Sequence, residues 1–128
     1  MAASGIEPLV VTAGRGVRSL RAVACRAGAD LTVTVTGGSA PHVGCVVLSQ
    51  AYSGRDGGVR VTSSVVALPP HREEALARPL AETLARALRG TVVVAAGVHE
   101  DGLTPEGVAD YLRLGEELAA SLLAALSA

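Results

Sequence analysis

The 128-residue chain contains no phenylalanine and no tryptophan, and its only aromatic rings besides histidine are Tyr52 and Tyr111. Any flat ring bound here must therefore be stacked by a tyrosine, an arginine plane, a histidine or peptide faces. Lysine is absent too, because all 11 basic residues are arginine, and this excludes Schiff-base and lysine-nucleophile chemistry. Cys25 and Cys45 are the only cysteines and lack CxxC spacing. Neither a disulfide framework nor a structural zinc site has support from them, and two free thiols are expected. With a net charge of −1 there is no basic excess to neutralise phosphates, which argues against a nucleic-acid partner. No apolar run reaches the roughly 18 residues of a membrane span, and the first residues lack a signal-peptide pattern. The expectation is a soluble, cytoplasmic protein with no membrane partner.

The length suits one domain over residues 1–128, with residues 1–16 expected as an irregular N-terminal segment. Residues 17–26 are β-compatible. In "LTVTVT", Leu31, Val33 and Val35 alternate with Thr32, Thr34 and Thr36, the pattern of a half-buried strand. Residues 43–52 read as a strand buried on both faces. Residues 59–68 form a fourth strand, which Pro69 and Pro70 stop because proline cannot donate to the ladder. Residues 91–97, "TVVVAAG", predict a fifth, fully buried strand. Between these last two, Leu76, Leu80, Leu84 and Leu88 recur every four residues, as an amphipathic helix requires. Gly90 is its expected C-terminal cap, and Pro79 predicts a kink or a helix start close by. A last helix opens at Thr104 as N-cap with Pro105 in the first helical position. Its apolar stripe packs on the sheet and leaves its final turns for a subunit contact, the basis for expecting a homodimer. The expected fold class is α+β: a single, mostly antiparallel five-stranded sheet packed by two helices in the C-terminal half.

The three histidines all fall where an element begins or ends: His42 in "APHVG", His71 in "PPHREE" and His99 in "GVHEDG". Such junctions are where ligand sites are commonly built. Gly37, Gly38 and Gly44 around the first could let a ligand approach backbone N–H groups. In "VHED" an extended backbone puts His99 and Asp101 on one side and Glu100 on the other. Each motif also has a plainer explanation, namely a loop histidine satisfying local backbone, or acidic residues placed favourably at a helix N-terminus. No GxSxG, HExxH, phosphate-binding loop or dinucleotide fingerprint is present.

Taken together, "TGGSAPHVG", "HREEALARPLAETLARAL" and "TVVVAAGVHEDGLTPEGV" resemble the prenylated-flavin chaperone family, LpdD-like, whose members are accessory subunits of gallate and hydroxyarylic acid decarboxylase systems. The likeness covers roughly residues 28–112, with the motifs in the family's order. It implies a non-catalytic accessory protein that binds prenylated FMN (prFMN). Such a protein stands between the flavin prenyltransferase that makes the cofactor and the UbiD-type decarboxylase that uses it. By this resemblance, the cofactor-binding positions are Gly37, Gly38, Pro41, His42 and Gly44, then His71, then Gly97, His99 and Asp101. Arg72, where the family pattern has lysine, is an added phosphate contact, and Gly102 stands where the family often has asparagine. A divalent metal ion held by His42, His71 and His99 is a subsidiary expectation. Two other readings stay open: a small metal-dependent enzyme built on His42, His71, His99 and Asp101, and a decarboxylase-docking module without a ligand of its own.

Overall fold

A computed structural model of the protein describes residues 7–69 and 73–127. Six strands and two helices follow in the order β1 (Leu9–Arg15), β2 (Arg18–Ala27), β3 (Asp30–Gly38), β4 (Cys45–Ser53), β5 (Val59–Ala67), α1 (Glu74–Leu88), β6 (Thr91–His99) and α2 (Pro105–Ser127). Among the described residues they form one mixed sheet of spatial order β1-β2-β3-β6-β4-β5. The α+β class and the two helices agree with the sequence, whereas the expected five strands are six, and the sheet is mixed, with four antiparallel pairings and one parallel pairing, β3 with β6. β1 supplies the additional strand, pairing antiparallel with β2 from Leu9 opposite Ala24 to Arg15 opposite Arg18. Residues 9–15 are thus ordered in the sheet, not irregular.

The larger correction concerns β6. It lies parallel to β3, with Leu31 opposite Val92, and antiparallel to β4, with Cys45 opposite Ala96. An alternating apolar pattern specifies which face of a strand is buried, but not which strand lies beside it. Strands β3, β4 and β5 therefore read as a meander, although β6 separates the first two. Helix α1 makes this arrangement possible. A chain leaving β5 can re-enter the sheet parallel to it only through a crossover, and an amphipathic helix provides one.

Both helices cover the same face of the sheet. Leu20, Ala22 and Ala24 from β2, Leu31, Val33 and Val35 from β3, Val92, Val94 and Ala96 from β6, and Cys45 and Val47 from β4 meet Leu80 and Leu84 of α1 and Leu118 and Leu122 of α2. Full burial of each such leucine stabilises the fold by about 1.5–3 kcal/mol. The burial of β4 and β6 is one-sided, not two-sided as their unbroken apolar sequences suggest. Within this core Ser49 is fully buried. Its hydroxyl pairs with that of Ser63 at 2.7 Å, and Ser63 donates to the Glu82 carboxylate at 2.6 Å, so the buried polar group is satisfied. Cys45 is buried in the core, where loss of hydration pushes its thiol pKa up, and Cys25 is half-buried; both thiols are free.

Helix α1 runs through Pro79. The proline sits on the exposed side of the helix, where the carbonyl deprived of its partner can turn to water. The expected cap is displaced by one residue: Arg89, not Gly90, adopts the left-handed conformation at φ 53°, and the Gly90 N–H bonds the Ala85 carbonyl at 3.2 Å. A side chain in that conformation costs about 1–2 kcal/mol. Replacing Arg89 by glycine should therefore raise unfolding free energy by about 1 kcal/mol, measured from urea denaturation followed by circular dichroism. An unchanged or lower midpoint would show that the arginine side chain contributes more than its backbone costs.

Candidate functional site

Because β6 stands between β3 and β4, residues 39–44 must straddle it, a distance of two strand spacings or about 9–10 Å. That requirement explains why "SAPHVG" is longer than a hairpin turn. It also defines what the glycines do. A Cβ on Gly97 would lie 1.7 Å from the His42 carbonyl oxygen, and one on Gly38, at φ +77°, 2.0 Å from the His99 carbonyl oxygen. A Cβ on Gly37 would lie 2.3 Å from the Ser19 carbonyl. These three glycines admit the protein's own backbone. Gly44 closes the crossing by donating to Ala96 O at 2.9 Å and accepting from Leu68 N at 2.9 Å. Ser39 N donates to His99 O at 2.7 Å, while Pro41 is exposed on the outside of the crossing.

The crossing aims His42 inward at the start of α1. Its Nδ1 donates to Ala40 O at 3.0 Å, and its Nε2 lies 2.7 Å from Glu73 Oε2. Glu73 is the N-cap residue of α1, yet its side chain does not cap the helix. It is buried, and its Oε2 also accepts from Val98 N at 3.2 Å. One carboxylate thereby ties α1, the end of β6 and the 39–44 crossing together. The sequence marks Glu73 only as one of two acids in "HREEA", the usual composition of a first helical turn, so nothing distinguishes it there from Glu74, which pairs with Arg78 along the helix surface at 2.8 Å.

His99 is directed elsewhere. Its Nε2 meets Asp101 Oδ1 at 2.8 Å on an exposed loop, and Glu100 points the opposite way, as the extended pattern predicts. Glu100 accepts two bonds from Arg18, at 3.2 and 2.6 Å, and one from the Tyr111 hydroxyl at 2.8 Å. Arg18 also donates to Asp110 at 2.9 Å. The Arg18 guanidinium stands 6.0 Å from the centre of the Tyr111 ring. Burial, then the bond to Glu100, pushes the Tyr111 phenol up to about 12. The sequence does not mark this network, because its hydrogen-bonded pairs lie 11 to 92 positions apart and include none of the histidines.

Between these two polar clusters lies a cleft of about 410 Å³. Its walls are Ala75 and Leu76 of α1, Val98 of β6, Leu103 of the following loop, and Val108, Tyr111 and Leu112 of α2; Glu73 provides its charged end. The volume falls within the range of small-molecule sites, about 300–1,000 Å³, and the predominantly apolar lining is typical of them. Of the expected binding positions, His42 reaches this cleft through Glu73, and Gly97 supports His42 from beneath. His99 and Asp101 pair with each other outside it, while His71 and Arg72 lie outside the described residues. Among the described residues no group of three or more histidine, cysteine, aspartate or glutamate side chains could hold a metal ion. His42 and His99 make separate carboxylate pairs instead of converging.

The protein is an α+β domain with both helices on one face of its sheet and an apolar cleft at their N-terminal ends. Residues 14–127 match the family model described as "Prenylated flavin chaperone LpdD-like domain", and the chain belongs to that family. It is 26% identical over 106 residues to "Protein LpdD" of Lactiplantibacillus plantarum, an alignment covering 79% of this chain and 72% of that protein. Its fold is similar to a chain of the "Crystal Structure of a Novel Chaperone Complex for Yeast 20S Proteasome Assembly", with a TM-score of 0.65 and 14% identity over 94% of this chain and 97% of that one. At that identity the likeness concerns the fold alone. Family membership gives the protein an accessory chaperone role. No helix among the described residues is long and apolar enough to cross a membrane.

The Arg18 network has a consequence for acid stability. Hydrogen bonds from Arg18 and then Tyr111 hold Glu100 below its ordinary value of 4.5, and bonds from Arg113 and then Arg18 hold Asp110 below 3.8. Both carboxylates have lower pKa values folded than unfolded, so their contribution is fully present above those ordinary values and is lost as pH falls through the folded ones. The urea midpoint of Arg18→Met should therefore lie below that of the wild type at pH 7, with the gap narrowing below pH 4. A gap independent of pH would show that Arg18 acts through packing alone.

Proposed function

We propose that this chain binds prFMN in the cleft between α1, β6 and α2, and carries it from the flavin prenyltransferase that makes it to a UbiD-type decarboxylase. One observation carries the reading. Glu73, the only carboxylate lining the cleft among the described residues, is joined to His42 of the first family motif and to Val98 beside Gly97 of the third. All three motifs thus reach one apolar cavity, the second through Glu73 itself. The cofactor's ring system is planar, largely apolar and bordered by polar atoms. Leucine and valine walls suit its faces, and the Tyr111 ring supplies an aromatic surface in the lining.

The residues of the chain divide the task. Leu76, Val98, Leu103, Val108 and Leu112 exclude water from the ring. The Glu73 carboxylate accepts from ring N–H or hydroxyl groups, oriented by His42 and the Val98 N–H. Arg18 is committed to Glu100 and Asp110 and is not the phosphate partner; Arg72, outside the described residues but next in sequence to Glu73 at the start of α1, is the proposed phosphate contact. When bound, the cofactor supplies the chemistry later used by the decarboxylase, and the chaperone needs only to bind, shield and release it. Oxidative maturation of the reduced ring, with dissolved dioxygen as the electron acceptor, proceeds with fewer side products while the apolar walls keep water from the ring.

Coexpression with a flavin prenyltransferase, followed by anaerobic purification, native mass spectrometry and absorption spectroscopy, tests this directly. The expected result is a protein carrying the mass of prFMN and a flavin spectrum. Val108→Trp, which fills the cleft from an exposed position, and Glu73→Gln should each lower occupancy about tenfold, equivalent to about 1.4 kcal/mol of binding. A colourless protein with stoichiometric divalent metal would favour the metal-dependent enzyme instead. Full occupancy in both variants would move the site out of the cleft.

A further inference from the structure

The exposed large apolar side chains fall into two groups. Val10, Leu48, Tyr52 and Val66 stand on strands, on the back of the sheet, whereas Val17, Val43, Leu68, Leu103 and Val108 all lie at the end where the cleft opens. The connections at the opposite end, residues 28–29, 54–58 and 89–90, contain no large apolar residue. The second group flanks the cleft on both sides. Leu103 and Val108 belong to its wall, and Val43 and Leu68 sit together beside it, where Leu68 N donates to Gly44 O at 2.9 Å. Val17, across the mouth, is in the turn between β1 and β2, and its carbonyl lies 3.5 Å from the Tyr111 hydroxyl. From β2 to β5 the group extends over four strand spacings, about 19 Å. Charge is divided along the same axis. Around the mouth lie Glu74, Glu100, Asp101, Glu106 and Asp110, and the arginines among them, Arg18, Arg78 and Arg113, already face these acids at 2.6–2.9 Å; Arg15, on the edge strand, has no such pair. At the opposite end Arg26, Arg55, Arg60, Arg86 and Arg89 outnumber Glu7, Asp30 and Asp56.

We infer that the apolar patch of Val17, Val43 and Leu68 around the cleft mouth is the surface that docks the decarboxylase, against an apolar entrance rimmed with basic residues. The inference rests on the reading of the cleft as the prFMN site. Three observations support it. The first is position: a ligand leaves where the cleft opens, so the acceptor has to meet this end of the molecule. Val17, Val43 and Leu68 lie outside the cleft lining and have no part in holding a ligand, yet they gather at its mouth, and exposed apolar side chains clustered in this way mark interaction sites. The second is charge. A decarboxylase that takes up a phosphate ester as cofactor and an aromatic carboxylate as substrate collects two anions in one pocket, which requires positive charge at its entrance. The acidic mouth is drawn to such an entrance and the arginine-rich end is repelled, so the encounter is oriented before contact. The third is extent. A patch about 19 Å across suits the interfaces of transient encounters, below about 1,200 Å² in total, and a carrier has to let go after delivery.

Two measurements on the full chain separate this inference from the reading beneath it. Binding to a UbiD-type hydroxyarylic acid decarboxylase purified without its cofactor, followed by biolayer interferometry, needs no prFMN. Transfer of prFMN from the loaded protein is followed anaerobically by the native mass of the decarboxylase. Val17→Arg and Leu68→Arg, both at exposed positions outside the cleft lining, should each weaken binding and slow transfer about tenfold, equivalent to about 1.4 kcal/mol. Circular dichroism and prFMN occupancy of the two variants should match the wild type. Arg55→Glu, at the opposite end, should leave binding and transfer unchanged, and raising salt from about 0.05 M to about 0.5 M should weaken the wild-type complex. If the protein carries no prFMN, the cofactor reading fails, while binding lost in Leu68→Arg and kept in Arg55→Glu still supports the docking surface. A wild-type protein that does not bind the decarboxylase overturns the inference. So does binding that neither arginine substitution weakens, or that Arg55→Glu alone abolishes.

Discussion

The insertion of β6 between β3 and β4 is the constraint on which the rest of the molecule depends. It obliges residues 39–44 to cross over the end of β6, and the crossing is sterically possible only because position 97 has no Cβ to meet the His42 carbonyl. From that contact the remaining geometry follows. His42 is aimed at Glu73, Glu73 is drawn off its own helix cap toward Val98, and the start of α1 is fixed against the sheet at the place where the cleft opens. A buried carboxylate is costly unless it is hydrogen-bonded and paired, and here a backbone N–H and an imidazole both face it. The same two groups that satisfy the charge also connect the family's motifs.

The cleft lies between two polar ties with different tasks. On one side the His42–Glu73 pair joins the crossing to α1. On the other, Arg18 binds Glu100 and Asp110 and so holds the loop after β6, with Leu103, and the first turns of α2 against β2. The walls are contributed by elements distant in sequence, and their position relative to one another rests on these ties as much as on the core beneath. Gly107 is part of that arrangement: a Cβ there would come within 2.5 Å of a Leu103 methyl and 3.1 Å of the Arg18 guanidinium.

Local pattern carries much of the fold but little of its topology. The four-residue leucine period of α1, the Thr104–Pro105 start of α2, matched by the Gly107 N–H bond to Thr104 Oγ1 at 3.1 Å, and the alternation in β3 are all local and legible. Strand order is not, because nothing in "TVVVAAG" records that its neighbours are β3 and β4. The glycines are legible as sites of close approach, but not as to what approaches: for Gly97 and Gly38 the partner atoms are carbonyls of His42 and His99, far away in the chain, and only the three-dimensional register reveals them. The three motifs meet at the end of the molecule where the cleft opens. Nothing in the sequence marks Val108, Tyr111 or Leu112 as cavity lining, since apolar residues on a helix stripe look the same whether they line a core or a cavity, and Leu103 is a lone apolar residue in the loop before them. Glu73 escapes notice for the same kind of reason, as its identity suits the first turn it does not serve.

Placement of the cofactor where α1, β6 and α2 meet is the claim most open to direct measurement. Amide hydrogen exchange, compared between protein purified anaerobically with prFMN and the same protein without it, tests that placement at residue level. Slower exchange is expected in residues 73–76 and 98–112, with β1, β2 and β5 unchanged. Protection confined to the back of the sheet, or to neither region in a protein shown to carry the cofactor, would contradict it.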